Sequence, residues 1–172
     1  MKMKRFFVLA LSVLMLVSVV TACGGPSEDE GTAQEPIAVD LLALYNSMAA
    51  KHEFGEGYMA DLTEEPEMLE SYYPGLSESE TAQLVIRVPV ISAGVNEIAL
   101  VECKDEATAD QVEQILRDRA TSQAEGGALY PESTEAWGNS AVIRQGNYMA
   151  LIASAEWQND LADEFNAAFV AE

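Results

Sequence analysis

Two pairs of β-branched segments dominate the centre of this chain, and a segment with helical periodicity follows each pair. The first pair covers residues 83–90 and 96–103, and the second covers residues 141–144 and 148–154. The short connections favour antiparallel hairpins, and the order lacks the alternation of single strands and helices that builds a parallel sheet. We therefore predict an α+β fold with a four-stranded antiparallel sheet, built as strand-strand-helix twice, and with helices packed on one face.

An N-terminal helical part precedes the sheet. Its first helix is predicted to begin near Pro36 and to fade by Gly55. A loop around Tyr58 follows, and then a shorter helix over residues 64–72. The first helix is indicated by apolar residues that recur at helical spacing: Ile37, Leu41, Leu44 and Met48.

The helix after the first hairpin is predicted to begin at Thr108, because Thr108 and Gln111 fit a capping box. Gly126 and Gly127 are expected to end this helix, and Tyr130 to open a loop. A final helix follows the second hairpin. Two apolar stripes mark the buried faces of these helices: Ala109, Val112, Ile115, Leu116 and Ala120 on the first, and Trp157, Leu161, Phe165 and Phe169 on the last.

Residues 1–22 hold three of the nine basic residues and none of the 29 acidic residues. A basic start followed by an apolar run is typical of a secretory signal segment. A transmembrane helix is the alternative, but the run is slightly shorter than the roughly 20 apolar residues that a span needs.

The apolar run ends in Val20-Thr21-Ala22-Cys23, which resembles the lipobox of bacterial lipoproteins. The resemblance implies that the Cys23 thiol receives a diacylglyceryl group and that cleavage occurs on its N-terminal side. Two acyl chains anchor a protein stably, whereas a single chain binds marginally. We therefore expect Cys23 to be the lipidation site, the alternative being a cysteine that is free or buried at this position.

This interpretation divides the chain into three parts. Residues 1–22 are the lipoprotein signal peptide, residues 23–35 are the lipidated cysteine and a flexible acidic tether, and residues 36–172 are a single globular α+β domain. As a random coil, the tether spans roughly 20 Å. The protein is expected at the cell membrane, lipid-anchored and facing the extracytoplasmic side.

The chain is strongly acidic, with a formal net charge of −20. Loss of residues 1–22 removes three bases and no acid, so six bases against 29 acids leave the mature chain at −23. Such acidity argues against nucleic acid and against anionic lipid surfaces as partners, because both repel it. The lipid anchor is therefore the expected contact with the membrane.

Four short segments occur in an order and a spacing that carry a family resemblance. They are Glu97-Ile98-Ala99-Leu100-Val101-Glu102-Cys103-Lys104-Asp105-Glu106, Leu116-Arg117-Asp118-Arg119, Tyr130-Pro131 and Gly146-Asn147-Tyr148. Together they resemble a family of uncharacterised lipoproteins from low-GC Gram-positive bacteria, a domain of unknown function, over roughly residues 38–170. The resemblance implies a cell-surface location and the fold of that family, and it brings no established activity.

A candidate ligand pocket is predicted around Arg119, Gln123, Tyr130 and Tyr148. Arg119 and Gln123 lie one helical turn apart and continue the line of the buried stripe, so they border the buried face. A guanidinium in this position can bind a carboxylate or a phosphate with two parallel hydrogen bonds.

Structural roles are the simpler interpretation of the other reactive side chains. Arg119 itself could bond Glu97, Glu102 or a loop carbonyl instead of a ligand. His52 at the end of the first helix suits the helix dipole, and Cys103 suits core packing. The acidic clusters suit a solvated surface, since the chain has no calcium-binding loop. The sequence therefore nominates no catalytic residue, no metal site and no cofactor.

The sequence favours a non-enzymatic binding or interaction module for a protein partner or small ligand at the cell surface. The chain has no nucleophile elbow, no Walker loop and no His-Glu-x-x-His motif. A small accessory solute- or cation-binding lipoprotein of a transporter is the alternative, and a cell-envelope hydrolase is less favoured.

Overall fold

A five-stranded antiparallel sheet forms the centre of the domain. The computed structural model describes residues 37–54, 57–91 and 94–170, so the expected signal peptide, Cys23 and the tether lie outside the described residues. The strands are β1 (Met59–Asp61), β2 (Thr81–Pro89), β3 (Asn96–Cys103), β4 (Ala141–Gln145) and β5 (Tyr148–Ser154). Across the sheet they follow the order β1-β2-β3-β5-β4, which puts β3 in the middle.

Within the described residues, the sheet is flanked by α-helices of 7 to 17 residues. A 3-10 turn at Leu76–Glu78 precedes β2, and a π-helical turn at Gln123–Gly127 follows the third helix. The helices are α1 (Leu41–Lys51), α2 (Pro66–Tyr72), α3 (Glu106–Ser122), α4 (Pro131–Gly138) and α5 (Gln158–Ala167).

The predicted α+β class and both hairpins are confirmed. β2 pairs antiparallel with β3, β3 with β5, and β4 with β5. Gly146 takes a φ of 61° in the tight β4–β5 turn, a conformation that glycine adopts without steric cost. Side chains alternate between the two faces along β3, with Ile98 and Leu100 in one core and Ala99 and Val101 in the other.

β1 is a fifth strand in a segment that the sequence predicted as a loop. It has three residues and runs antiparallel to the end of β2, with Met59 opposite Pro89 and Asp61 opposite Arg87. A segment this short carries too little alternation to signal a strand. Its extended conformation depends on the hydrogen bonds that β2 offers.

Helices cover both faces of the sheet, so the prediction of helices on one face is wrong. α2, α3 and α4 pack on one face, and α1 and α5 pack on the other. Every residue of β5 is buried, which is the pattern of a strand covered on two sides. Alternate residues therefore reach different cores: Met149 and Leu151 join the α3 core, and Ala150 and Ile152 join the α1 core.

Aspartate side chains cap the starts of α1 and α3. Asp40 accepts a hydrogen bond from the Ala43 amide at 2.9 Å, so α1 begins at Leu41, later than predicted. Asp105 accepts from the Thr108 amide at 2.7 Å, so α3 begins before the predicted capping box. This backbone hydrogen bond lowers the pKa of Asp105. A short carboxylate just before a helix reaches these free amides best.

α4 occupies a segment that the sequence predicted as a loop. Pro131 stands in its first turn, where a missing amide hydrogen costs nothing. Ala136 and Trp137 pack into the α3 core. The helix has eight residues, too few to show a repeated apolar stripe in the sequence. Its packing contacts with the α3 core stabilise it.

Truncation of one large side chain in each core tests the two-sided arrangement. Leu116→Ala and Phe165→Ala remove fully buried side chains from opposite faces. Each should lower the free energy of unfolding by roughly 2–5 kcal/mol, because the lost contacts leave a cavity. Urea denaturation followed by circular dichroism measures the change.

The matched control is Leu42→Ala, which removes an exposed side chain from α1. It should change the free energy of unfolding by less than about 0.5 kcal/mol. A large loss in one of the two core variants and none in the other would contradict a sheet packed on both faces.

Candidate functional site

The buried carboxylate of Glu97 is the centre of the candidate site. Glu97 lies on β3 and is only 3% exposed. Arg119 follows Val112 and Leu116 along the buried stripe of α3, which brings its guanidinium over the sheet. It donates two parallel hydrogen bonds to Glu97, from Nε to Oε1 at 2.8 Å and from Nη2 to Oε2 at 2.7 Å. This is the bidentate pairing that the planar guanidinium favours.

Tyr73 supplies a third donor to the same carboxylate. Its hydroxyl donates to Oε1 of Glu97 at 2.6 Å, and the side chain is fully buried. Burial, and then the negative charge of Glu97, raises the pKa of Tyr73 well above its ordinary value of 10.0. The hydroxyl therefore keeps its proton, and three hydrogen bonds from two side chains hold the Glu97 oxygens.

Aromatic rings enclose the guanidinium of Arg119. Its Cζ atom lies 4.6 Å from the ring centroid of Tyr72, 5.2 Å from that of Trp137 and 5.8 Å from that of Tyr73. Such cation–π contacts strengthen when water is excluded, and the Arg119 side chain is only 13% exposed. Burial alone would lower the pKa of Arg119, but its hydrogen bond to Glu97 raises the pKa overall. The guanidinium therefore stays charged.

A cavity of about 150 Å³ lies beside this network, at the end of the sheet where β2 ends and β3 begins. We call this cavity the Glu97–Arg119 cleft, because both members of the ion pair line it, together with Tyr72, Val88, Asn96, Gln123, Leu129, Ser133 and Trp137. Rings and aliphatic groups share this wall with the ion pair, two side-chain amides and one hydroxyl. Polar and apolar groups therefore meet in the cleft.

Exposed apolar side chains gather in the segments that border the cleft. Among the described residues, eight large apolar side chains are exposed; four of them lie in the lining segments or directly follow them, and a fifth, Tyr58, joins Val90 through a backbone hydrogen bond. We call these five the apolar rim: Tyr58, Val90, Ile91, Leu129 and Tyr130. Leu129 is 78% exposed and Ile91 is 65% exposed. Single exposed apolar residues are ordinary, whereas several of them near one opening make it a candidate interaction site.

The structure brings together two of the four residues of the predicted pocket. Arg119 and Gln123 both line the cleft, and Tyr130 lies on the apolar rim beside it. Tyr148 lies in the core on the opposite face, where its ring centroid is 5.0 Å from that of Phe169. Because Tyr148 belongs to the core of α1 and α5, its side chain points away from α3. A side chain on that face of the sheet cannot reach the cleft.

The alternative role of Arg119, an internal ion pair, is present with Glu97 as its partner. Sequence reasoning missed the aromatic part of the site, Tyr72, Tyr73 and Trp137. The first two stand at the end of the predicted short helix, and Trp137 stands in a predicted loop, so no local pattern joined them. An aromatic pair next to Pro74 was the one available signal.

Two other reactive side chains have structural surroundings. The Nε2 atom of His52 lies 2.8 Å from Oε1 of Glu164, and the His52 ring stacks on Phe54. Cys103 is a buried free thiol, and burial raises its pKa to about 11, which disfavours the reactive thiolate. In the part of the chain that the structure describes, no three metal-ligating side chains gather at one point.

The Glu97–Arg119 cleft lies within a recognised family region. Residues 56–154 match the family model described as Domain of unknown function (DUF4358), so the chain belongs to this family. Curated proteins and solved structures gave no match to the chain. No helix among residues 37–54, 57–91 and 94–170 has both the length and the hydropathy for crossing a membrane.

Breaking the buried ion pair from one side should strongly destabilise the domain. Arg119→Met leaves the Glu97 carboxylate buried without its cation, and we expect a loss of about 3–5 kcal/mol in the free energy of unfolding. Glu97→Gln combined with Arg119→Met removes both charges and should cost less than the sum of the two single variants. A double-mutant cycle in urea measures this coupling.

Arg117→Met is the matched control on the same helix. Arg117 forms an exposed ion pair with Glu113 one turn away, at 2.6 Å. Its removal should cost about 0.5 kcal/mol or less. A coupling of zero between Glu97 and Arg119, or an equal loss in the control, would show that the buried pair is not a structural centre.

Proposed function

We propose that this protein is a lipid-anchored extracytoplasmic binding module that captures a protein partner at the cell surface and performs no catalysis. The apolar rim above the Glu97–Arg119 cleft is the observation that carries this proposal. Contiguous apolar groups around a concave opening favour association with another molecule, because association removes them from water.

The chemistry of the cleft floor supports recognition rather than catalysis. A general base needs an oxygen or nitrogen atom that can reach a substrate proton. Both carboxylate oxygens of Glu97 already accept hydrogen bonds from Arg119 or Tyr73. A network in which each charge has its partner makes a rigid floor, and both oxygens are already engaged within the domain.

The volume of the cleft suits a single apolar side chain of a protein partner. Drug-sized ligands occupy pockets of roughly 300–1,000 Å³. The cleft holds about 150 Å³, the volume of an engineered cavity that binds a single benzene molecule. One leucine or phenylalanine side chain fits that space, and the rim then contacts the surface around it.

The anchor is tested by metabolic labelling with an alkyne fatty acid. Cys23→Ala should abolish labelling and leave the unprocessed precursor, because the acylated thiol is lost. Cys103→Ala is the matched control, since it removes the other cysteine of the chain and should leave labelling intact. Labelling that survives in Cys23→Ala would refute the anchor.

The cleft is tested by site-specific photo-crosslinking in intact cells. A photoreactive amino acid at Leu129, on the apolar rim, should give discrete protein adducts because a partner covers this position. The same amino acid at Leu42, exposed on α1 at the other face, should give none of these adducts. Identical adducts from both positions, or no adduct from Leu129, would contradict binding at the cleft.

A further inference from the structure

The two lateral edges of the sheet differ in length. β1 forms one edge with three residues, and β4 forms the other with five. Proteins usually protect an edge strand with a proline, a lysine or a bulge that hinders pairing with another chain. β4 has no proline, no lysine and no register shift against β5. Its one charged residue, Arg144, is paired with Asp110 and Glu113 of α3 at 2.6 and 3.2 Å, so the charge is offset within the domain.

The backbone of β4 presents free hydrogen-bonding groups along this edge. The Cys103 amide donates to the Asn147 carbonyl at 2.9 Å, which directs the odd-numbered residues of β5 toward β3. The even-numbered residues of β5 therefore bond to β4, where they face the odd-numbered residues of that strand. The amide and carbonyl groups of Val142 and Arg144 point outward. None of these four groups has a hydrogen-bond partner among the described residues.

The sequence of β4 is complementary to itself in the antiparallel direction. The outward groups of two edge strands can form the hydrogen-bonded pairs of a new ladder. When two copies of β4 meet around Ile143, Val142 of each copy forms such a pair with Arg144 of the other. Ile143 then lies opposite Ile143, with Cα atoms about 4.5 Å apart, and Ala141 lies opposite Gln145. This register pairs all five residues of β4 and sets no charge directly opposite a like charge.

The charged side chains beside β4 balance one another, although the domain as a whole is acidic. On the α3 face, Arg144 and Arg117 offset Asp110 and Glu113, and Glu113 is bonded to both arginines. In the self-paired register, Arg144 of one copy is diagonal to Arg144 of the other, about 7–8 Å away and within reach of a long side chain. The two copies therefore bring two arginines and four carboxylates together, with Arg117 of each copy completing the balance.

The α5 face of β4 brings no charge to the same edge. Gln145 donates from Nε2 to the Asn166 side-chain oxygen of α5 at 2.7 Å, and Ile143 packs against the apolar core of that face. Acids that lie farther away than a Debye length, about 8 Å at physiological salt, are largely screened. The net charge of the domain therefore opposes self-pairing only weakly at this edge.

We propose that β4 is the interface through which two copies of this chain pair, so that five strands from each copy join into one antiparallel sheet. No residue of β4 lines the Glu97–Arg119 cleft, so this inference goes beyond the proposed function and stands without it. A pair of domains presents two clefts. Two linked clefts bind a partner with repeated sites more tightly than one cleft does, because the second contact is intramolecular.

Disulfide crosslinking of the full chain in intact producing cells tests the interface. Ile143→Cys sets two thiols directly opposite each other, and the oxidant diamide should convert the chain into a covalent dimer. The yield should exceed that of Leu42→Cys, an exposed position on α1, at least about tenfold, because only opposed Cα atoms meet the geometry of a disulfide. The wild-type chain, with its buried Cys103, sets the background for both variants.

A mixed pair of variants tests the register and leaves Ile143 unchanged. Ala141→Cys in one copy lies opposite Gln145→Cys in the other, so cells that produce both, with tags of different size, should form the mixed covalent dimer. Each variant alone should give only the background, because its own position recurs four residues along the partner strand, about 14 Å away. Both positions are only partly buried, so the domain should tolerate the changes.

Equal yields of dimer from Ile143→Cys and Leu42→Cys would overturn the inference. Absence of the mixed dimer would also overturn it, because the two copies would then lack the self-complementary register. Adducts of Ile143→Cys with other proteins in place of the dimer would show that a strand of a different chain occupies the edge. Loss of the photo-adducts at Leu129 would refute the proposed function and leave the pairing through β4 intact, so the two failures are distinguishable.

Discussion

The ion pair between Glu97 and Arg119 is the interaction on which one whole face of the domain depends. Moving two charges out of water costs several kcal/mol for each ion, and attraction offsets this cost only with excellent geometry and further hydrogen bonds. Two bonds from Arg119 and one from Tyr73 meet that condition. Tyr73, which donates to Glu97, directly follows α2, and Trp137, which contacts Arg119, lies on α4. Since Arg119 lies on α3, the ion pair and its contacts connect three helices to β3.

The two faces of the sheet differ in kind. The face of α1 and α5 is an apolar core with aromatic packing, and the face of α2, α3 and α4 holds the polar network and the cleft. The DUF4358 match over residues 56–154 contains the whole sheet and the cleft, whereas α1 and α5 lie outside it. The candidate site therefore belongs to the part of the chain that defines the family.

Sequence patterns predicted the long elements well and the short ones poorly. β3 has the predicted bounds, because eight residues suffice to show the pattern of a strand. β1 and α4 were missed because three and eight residues carry too little pattern. The prediction of helices on one face failed because β5 is apolar from Tyr148 to Ala153, and such a run does not show on how many sides a strand is covered.

Local composition and periodicity predict the hairpins, the buried stripes of α3 and α5, and the large acidic excess. They also indicate that Arg119 borders the core. That Arg119 meets Glu97, 22 residues away, and that Tyr148 faces the other side are consequences of how the elements pack. Those facts depend on the path of α3 across the sheet and on the register of β5 against β3. Neither is set by residues that are neighbours in the chain, so the cleft exists only once the helices have packed.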